Sequence, residues 1–298
     1  MSRPPINNVR GALWMLAGSM SLAATALSVK FLGGDLPSPV IVFCRSIFGI
    51  LFILPFLARH GLRIFATKRP QLHVLRAFAA VGNLGLGFYA LSHLPLATAT
   101  SLSFTRPLFM ILIAVVFLGD VVRWRRGLAT AIGFGGVLIM LGPTDIALNI
   151  ASLAALAAAA SAAVAFSVVG KQSNEESPLT ILAWFAVGVF VVSSPLAAIF
   201  WKTPHGLQWV LLASVGVFTT LANYCITRAF AVGETTAIGP VDYLQLIFAA
   251  VAGYFLFGEV PTIWTALGSV VVVAATLYII LREARVKAAK TTIPPLVE

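Results

Sequence analysis

Ten long apolar runs separated by short polar breaks constrain this chain more than any other feature. They cover about residues 11–32, 38–58, 73–92, 96–118, 127–142, 150–170, 178–201, 207–230, 235–257 and 262–281. Between them stand glycines, prolines and charges, such as Gly33-Gly34-Asp35, His93-Leu94-Pro95, Asp120 to Arg126, Lys171 to Pro178 and Gly258 to Pro261. A helix needs about 20 apolar residues to cross the hydrocarbon core of a bilayer. Membrane strands are segments of about ten residues with alternating polarity, so continuous runs of this length exclude a barrel. The chain is 59% hydrophobic and only 10% charged, whereas soluble domains are about a quarter charged. An ordinary soluble enzyme and a disordered chain are both excluded. Ten spans with short connections use about 280 residues, which leaves no stretch for a separate soluble domain. The expected fold is an all-α membrane protein of ten transmembrane helices in the lipid bilayer.

The formal charge is +10. Nucleic-acid binding needs a clustered, solvated basic face. Here the basic residues sit between apolar runs and read as topology signals, so no nucleic-acid partner is expected. With a cytoplasmic N-terminus, the inside loops and tails hold 14 Lys and Arg, and the outside holds only Lys202 with Lys30 near it. Basic residues accumulate in cytoplasmic loops, so both termini are expected there. The first run is too long for a signal-peptide core and reads as a retained helix. Cys44 and Cys225 lie inside apolar runs and read as small core residues rather than a disulfide.

The two halves match weakly at an offset of 139. Phe117-Leu118-Gly119-Asp120-Val121 falls on Leu256-Phe257-Gly258-Glu259-Val260, Tyr89-Ala90-Leu91 on Arg228-Ala229-Phe230, and Ala97 on Thr236. Each half holds five helices, and five is odd, so the second half enters from the opposite side. This predicts two inverted five-helix repeats, residues 1–145 and 146–285, with a cytoplasmic tail at 286–298. Asp120 is then inside and Glu259 outside. Inverted repeats suggest alternating access around a site near the midplane.

These duplicated helix ends, Phe-Leu-Gly-Asp at 117–120 and Leu-Phe-Gly-Glu at 256–259, resemble those of the drug/metabolite transporter superfamily, EamA type. The resemblance runs from about Gly11 to Leu281. It implies a bacterial inner-membrane carrier, with the third, fourth, eighth and ninth helices lining the pore and the fifth and tenth peripheral. It also implies export of small zwitterionic metabolites, aromatic and other neutral amino acids first. S-adenosylmethionine or another metabolite or drug is the alternative substrate.

A charge within a membrane helix is costly and marks a functional candidate. Arg45, Arg106 and Asp242 lie deepest. Arg106 and Asp242 sit on repeat-related helices at similar depth. One reading is that Arg106 receives a carboxylate and Asp242 an ammonium; the other is a buried pair that locks two helices. Pro107 follows Arg106, and Pro240 precedes Asp242 by two; proline frees a carbonyl one turn earlier, and paired breaks in two halves point to a binding site. Arg45 reads as snorkelling or structurally bonded, Arg76 and Arg228 as snorkelling, and Lys30 as snorkelling or gating. Asn83, Asn223 and Gln245 are polar groups able to bond a substrate or bridge helices. Tyr89, Phe104, Tyr224 and Tyr243 offer aromatic faces to a side chain or a cation. The candidate substrate-binding set is therefore Asn83, Tyr89, Phe104, Arg106, Asn223, Tyr224, Asp242, Tyr243 and Gln245. Trp14, Trp124, Trp201, Trp209 and Trp264 read as interfacial belt residues.

There is no Walker loop and no His-Glu-x-x-His, no His/Cys cluster with metal spacing, and no Gly-x-Ser-x-Gly elbow. No enzyme activity, cofactor or metal is expected. A channel is the rival class; it needs a continuous wet pore with rings of charge, which scattered single charges do not supply. A monomer is expected. Proton coupling would have to use Asp242, and facilitated diffusion needs no titrating group.

Overall fold

The computed structural model describes residues 7–118, 124–141, 149–172, 176–232 and 238–291. Among these the chain is helical, with no strand. The helices are α1 (Asn8–Leu32), α2 (Ser38–His60), α3 (Pro70–His93), α4 (Leu96–Ser103), α5 (Arg106–Leu118), α6 (Trp124–Leu141), α7 (Ile150–Gln172), α8 (Pro178–Ile199), α9 (Leu207–Val232), α10 (Leu244–Phe257) and α11 (Ile263–Thr291). Short 3-10 turns occupy Gly61–Phe65 and Gly239–Tyr243. Each of the ten apolar runs contains helix. Seven segments are long and apolar enough to cross a membrane, and three further apolar helices, Gly127–Met140, Val241–Phe257 and Ile263–Ile279, are shorter.

Two runs depart from a single helix. The fourth is α4 and α5, joined at Phe104-Thr105, and the ninth opens on a 3-10 turn before α10. Pro107 is the second residue of α5. It has no N–H for the carbonyl four residues back, so the chain closes the gap with tighter bonds. The N–H groups of Phe104 and Thr105 reach only to Ser101 and Leu102 (both 3.1 Å). The tenth run ends later than expected, because α11 continues through the basic residues after Leu281 to Thr291.

The helix ends follow their sequence signals. Asn7 accepts from the Arg10 N–H (2.9 Å) at the start of α1, and Ser177 accepts from the Thr180 N–H (3.1 Å) at the start of α8. Gly258 (φ 65°) closes α10 in the left-handed conformation that glycine adopts without strain.

Packing pairs helices from opposite halves. The principal contacts join α1 to α9, α3 to α7, α2 to α8, α6 to α11, and α4 to α10. Small residues permit close approach. Phe48 of α2 lies over Gly216 of α9, and Gly136 of α6 faces Gly268 of α11 across backbone contact distances. Ala158, Ala162, Ala129 and Ala249 are all buried. Cys44 and Cys225 are free and buried. The outer surface is broadly apolar, as at Val217, Leu221, Phe255 and Val270, and a surface of this kind is stable only in lipid. Trp124, Trp201, Trp209 and Trp264 are exposed on it. An apolar groove of about 460 Å³ between α6 and α11 opens beside Trp124, Leu128 and Tyr278, away from the deep charges.

One contact is one-sided. At the end that carries Lys30, α1 touches α3, with Gly33 directly against Ser92. Among the described residues, α7 and α9, which hold the equivalent places in the other half, make no comparable contact.

Candidate substrate site

The two broken runs meet at their breaks. Phe104, at the joint of the fourth, stacks on Tyr243, at the end of the 3-10 turn of the ninth, with ring centroids 4.7 Å apart. Offset stacking at this distance stabilises by about 0.5–1.5 kcal/mol and ties the two halves at the centre. Tyr89 of α3 packs into the same apolar cluster as Phe104 and Tyr243. The Tyr243 hydroxyl lies towards Thr276 of α11, whose own hydroxyl donates to the Val272 carbonyl (2.8 Å).

Arg106 opens α5, two residues past Phe104. Its guanidinium lies 4.4 Å from the ring centre of Phe166 on α7, a cation–π contact. Asp242 lies within the 3-10 turn, next to Tyr243, and accepts a hydrogen bond from the Ser19 hydroxyl of α1 at 3.1 Å. The two charges act on one another electrostatically, yet they form no direct ion pair among the described contacts.

The structure thus gathers Tyr89, Phe104, Arg106, Asp242 and Tyr243 of the expected set. It adds Ser19, Phe166 and Thr276, which sequence reasoning did not single out. Ser19 was one of several small hydroxyl residues in its run, and Phe166 one of 21 phenylalanines. Thr276 lies on the last helix, which had been expected to be peripheral. The others stand apart. Tyr224 shares an exposed stripe of α9 with Val217 and Leu221 and meets Trp14 edge-on. Asn223 is exposed beside it and donates to the Thr219 carbonyl of its own helix (3.0 Å). Asn83 and Gln245 are half-buried.

The remaining intramembrane cations also differ from expectation. Arg45 does not snorkel. It is 9% exposed, and its Nε has no partner among the described residues. The reason is its face of α2, one turn from Phe48 and Gly49, which pack on α9 and α8. Arg76 ties α3 to α8 through the Ile181 carbonyl (2.8 Å) and the Phe185 ring (4.7 Å). Lys30 forms an ion pair with Glu259. Asp120 lies outside the described residues. His73, expected at a helix end, is there but buried. Its Nε2 meets Glu176 (2.7 Å), its Nδ1 meets the Gln172 amide (2.9 Å), and Trp184 stacks on its ring. Thr67 also donates to Glu176.

No group of three His, Cys, Asp or Glu that could hold a metal occurs among the described residues. The sequence pattern of the EamA-like transporter family matches the chain twice, at residues 9–142 and 149–281. A protein named S-adenosylmethionine uptake transporter, from Rickettsia felis, is 34% identical over 284 residues, 94% of this chain and 95% of its own. A riboflavin transporter from Vibrio cholerae is 32% identical over 91% of this chain and 93% of its own. A pseudopaline exporter from Pseudomonas aeruginosa is 29% identical over 90% and 94%. A solved structure described as "Crystal structure of protein" superposes with a TM-score of 0.60 over 95% of this chain and 99% of its own, at 17% identity, which speaks to the fold alone.

Proposed function

The chain belongs to the EamA-like transporter family, and on that premise we propose that it carries small metabolites with an amino-acid head, S-adenosylmethionine foremost, across the inner membrane by alternating access. It is a multi-pass membrane transporter, and its relatives are transporters rather than enzymes. The preference for aromatic and neutral amino acids expected above gives way, because the relatives at 32–35% identity include four named for S-adenosylmethionine uptake.

The observation that carries this reading is the pair Arg106 and Asp242. They are opposite in charge, come from opposite halves, and act on one another electrostatically with no direct ion pair among the described contacts. A carboxylate on the guanidinium and an ammonium on the Asp242 carboxylate satisfy both. Charge-assisted contacts of this kind are the strong ones. The stacked Phe104 and Tyr243 rings beside them offer a π-face to a sulfonium or an adenine. Riboflavin carries no charged head that uses both groups.

The carrier architecture rests on a ten-span reading: two inverted repeats at 1–145 and 146–285, a cytoplasmic tail at 286–298, and both termini cytoplasmic. Supporting it, the family pattern occurs twice at nearly the expected offset. Exchanging each run with its equivalent five later maps the main helix pairs onto one another: α1 with α9 becomes α7 with α3, and the other three pairs map onto themselves. Phe104 and Tyr243 are register equivalents at the offset of 139, and they stack. Among the described residues the contacts of α2 with α3 and of α1 with α3 have no counterpart of similar extent in the other half, and that of α1 with α3 lies at the Lys30 end. In the proposed orientation it corresponds to a carrier closed outside and open inside.

The test is counterflow of radiolabelled S-adenosylmethionine in proteoliposomes. Saturable, trans-stimulated uptake is expected. Arg106→Gln should raise KM about 100-fold for S-adenosylmethionine, in line with truncation of one partner of a buried charged contact, and about twofold for its decarboxylated analogue. Equal losses on both compounds would remove Arg106 from the carboxylate site. Flux without saturation would make the protein a channel.

A further inference from the structure

The Lys30 end of the molecule is closed by a polar cluster that the substrate site does not use. Lys30 sits in the last turn of α1, and Glu259 lies just past α10, brought back by the left-handed turn at Gly258 and the bond from its N–H to the Gly253 carbonyl (3.0 Å). The two side chains form an ion pair and are 10% and 20% exposed. Each also clasps the turn between α3 and α4. The Lys30 ammonium donates to the Leu94 carbonyl (2.6 Å), and the Glu259 carboxylate accepts from the Leu96 N–H (2.7 Å). Both charges suit their helix ends, a cation at the C-terminus of α1 and an anion at the N-terminus of α4. Phe257 packs under the Lys30 ammonium (5.3 Å) and against Phe31 (4.7 Å).

We infer that Lys30 and Glu259 form an ionic latch that holds the outer end of the carrier shut, joining α1, the α3–α4 turn and the α10–α11 turn, and that must open for substrate to exchange outside. The inference rests on the alternating-access reading and adds its gate. The latch spans both halves and lies beside the contact of Gly33 with Ser92, where α1 meets α3 without an equivalent contact of α7 with α9 among the described residues. The sequence makes it one-sided. The register equivalent of Glu259 is the acid Asp120, but that of Lys30 is the apolar Val169. The other end is joined by different chemistry, the contact of His73 with Glu176 and Gln172, so the two ends can open independently.

The experiment uses the full chain in right-side-out vesicles, with Cys44 and Cys225 replaced by alanine and Ser92→Cys as reporter. Labelling by an impermeant maleimide added outside is timed. Lys30→Met or Glu259→Gln should each speed labelling about tenfold, and Lys30→Arg should keep the reporter protected, which controls for folding. In the double variant the rate should match the faster single, because contacting partners are non-additive. Unchanged rates in the singles, or effects that multiply in the double, would overturn the latch. A saturating dose of S-adenosylmethionine on either side tests the underlying reading separately. A reporter rate that responds to substrate while ignoring both single variants removes the latch and keeps alternating access. A rate that never responds to substrate in a transporting protein makes the pair a static clamp and defeats both.

Discussion

The fourth and ninth runs break at the same register, yet they deliver opposite charges. In the fourth, Pro107 stands second in α5 and Arg106 opens that helix. In the ninth, Pro240 lies in the 3-10 turn and Asp242 follows within it. The aromatic residues at the two breaks, Phe104 and Tyr243, pack ring against ring, tilted by 30°. The shared geometry places a pair of breaks at the centre, and the unshared charges give the centre a direction. A site built from two identical halves would repel itself with like charges. A cation on one half and an anion on the other can hold a dipolar head in one orientation.

This contrast can be broken or sharpened by experiment. The largest effect is expected from the charges. Asp242→Asn should raise KM for S-adenosylmethionine about 100-fold, the scale for leaving one partner of a buried charged contact unmatched. An analogue lacking the amine should lose little, and measured KM values for the two compounds decide. Removing an aromatic step comes next. Phe104→Ala should weaken transport about 30-fold through lost stacking and a cavity, whereas Tyr243→Phe keeps the ring and should cost about threefold, the value of one neutral hydrogen bond. Similar losses in the two variants would show that the hydroxyl, not the stack, holds the centre. Ser19→Ala removes a bond to a charged acceptor and should cost about tenfold in KM with maximal flux unchanged. The smallest effect concerns the break itself. Pro107→Ala restores an N–H to the fourth run and, through one added backbone hydrogen bond, should raise thermal stability in detergent by about 1 kcal/mol while slowing counterflow severalfold. A gain in both would mean that the break is a packing accident.

Much of the fold could be read from residues in order. Long apolar runs between charges and glycines are helices because a buried or lipid-facing backbone must satisfy its own hydrogen bonds. The helix limits found in the structure lie within a few residues of the runs, apart from the break in the fourth run, the start of α10 at Leu244 and the extension of α11 to Thr291. Arg106 and Asp242 were legible because a charge in such a run has few reasons to be there. The joint at Phe104 was legible only as a proline in a suggestive place. For Tyr224 nothing local distinguishes a pore face from a lipid face when both sides of a helix are apolar. Its stripe with Val217 and Leu221 follows from which neighbours α9 packs against. Ser19, Phe166 and Thr276 were hidden for the opposite reason: each is common in type and ordinary in context, and acquires meaning only from a partner hundreds of positions away or on another helix.

Sequence alone therefore determined that this chain must live in a bilayer, where its helices begin and end, which charges are out of place, and that its halves are alike. These are local or periodic properties, set by hydration and by backbone bonding within a few residues. Only the tertiary structure decided which faces meet, that Arg106 and Asp242 stay apart while Lys30 and Glu259 join, and that one end of the molecule is latched. Those outcomes depend on how small residues let helices approach and on the direction in which each side chain leaves its helix, which no linear pattern records.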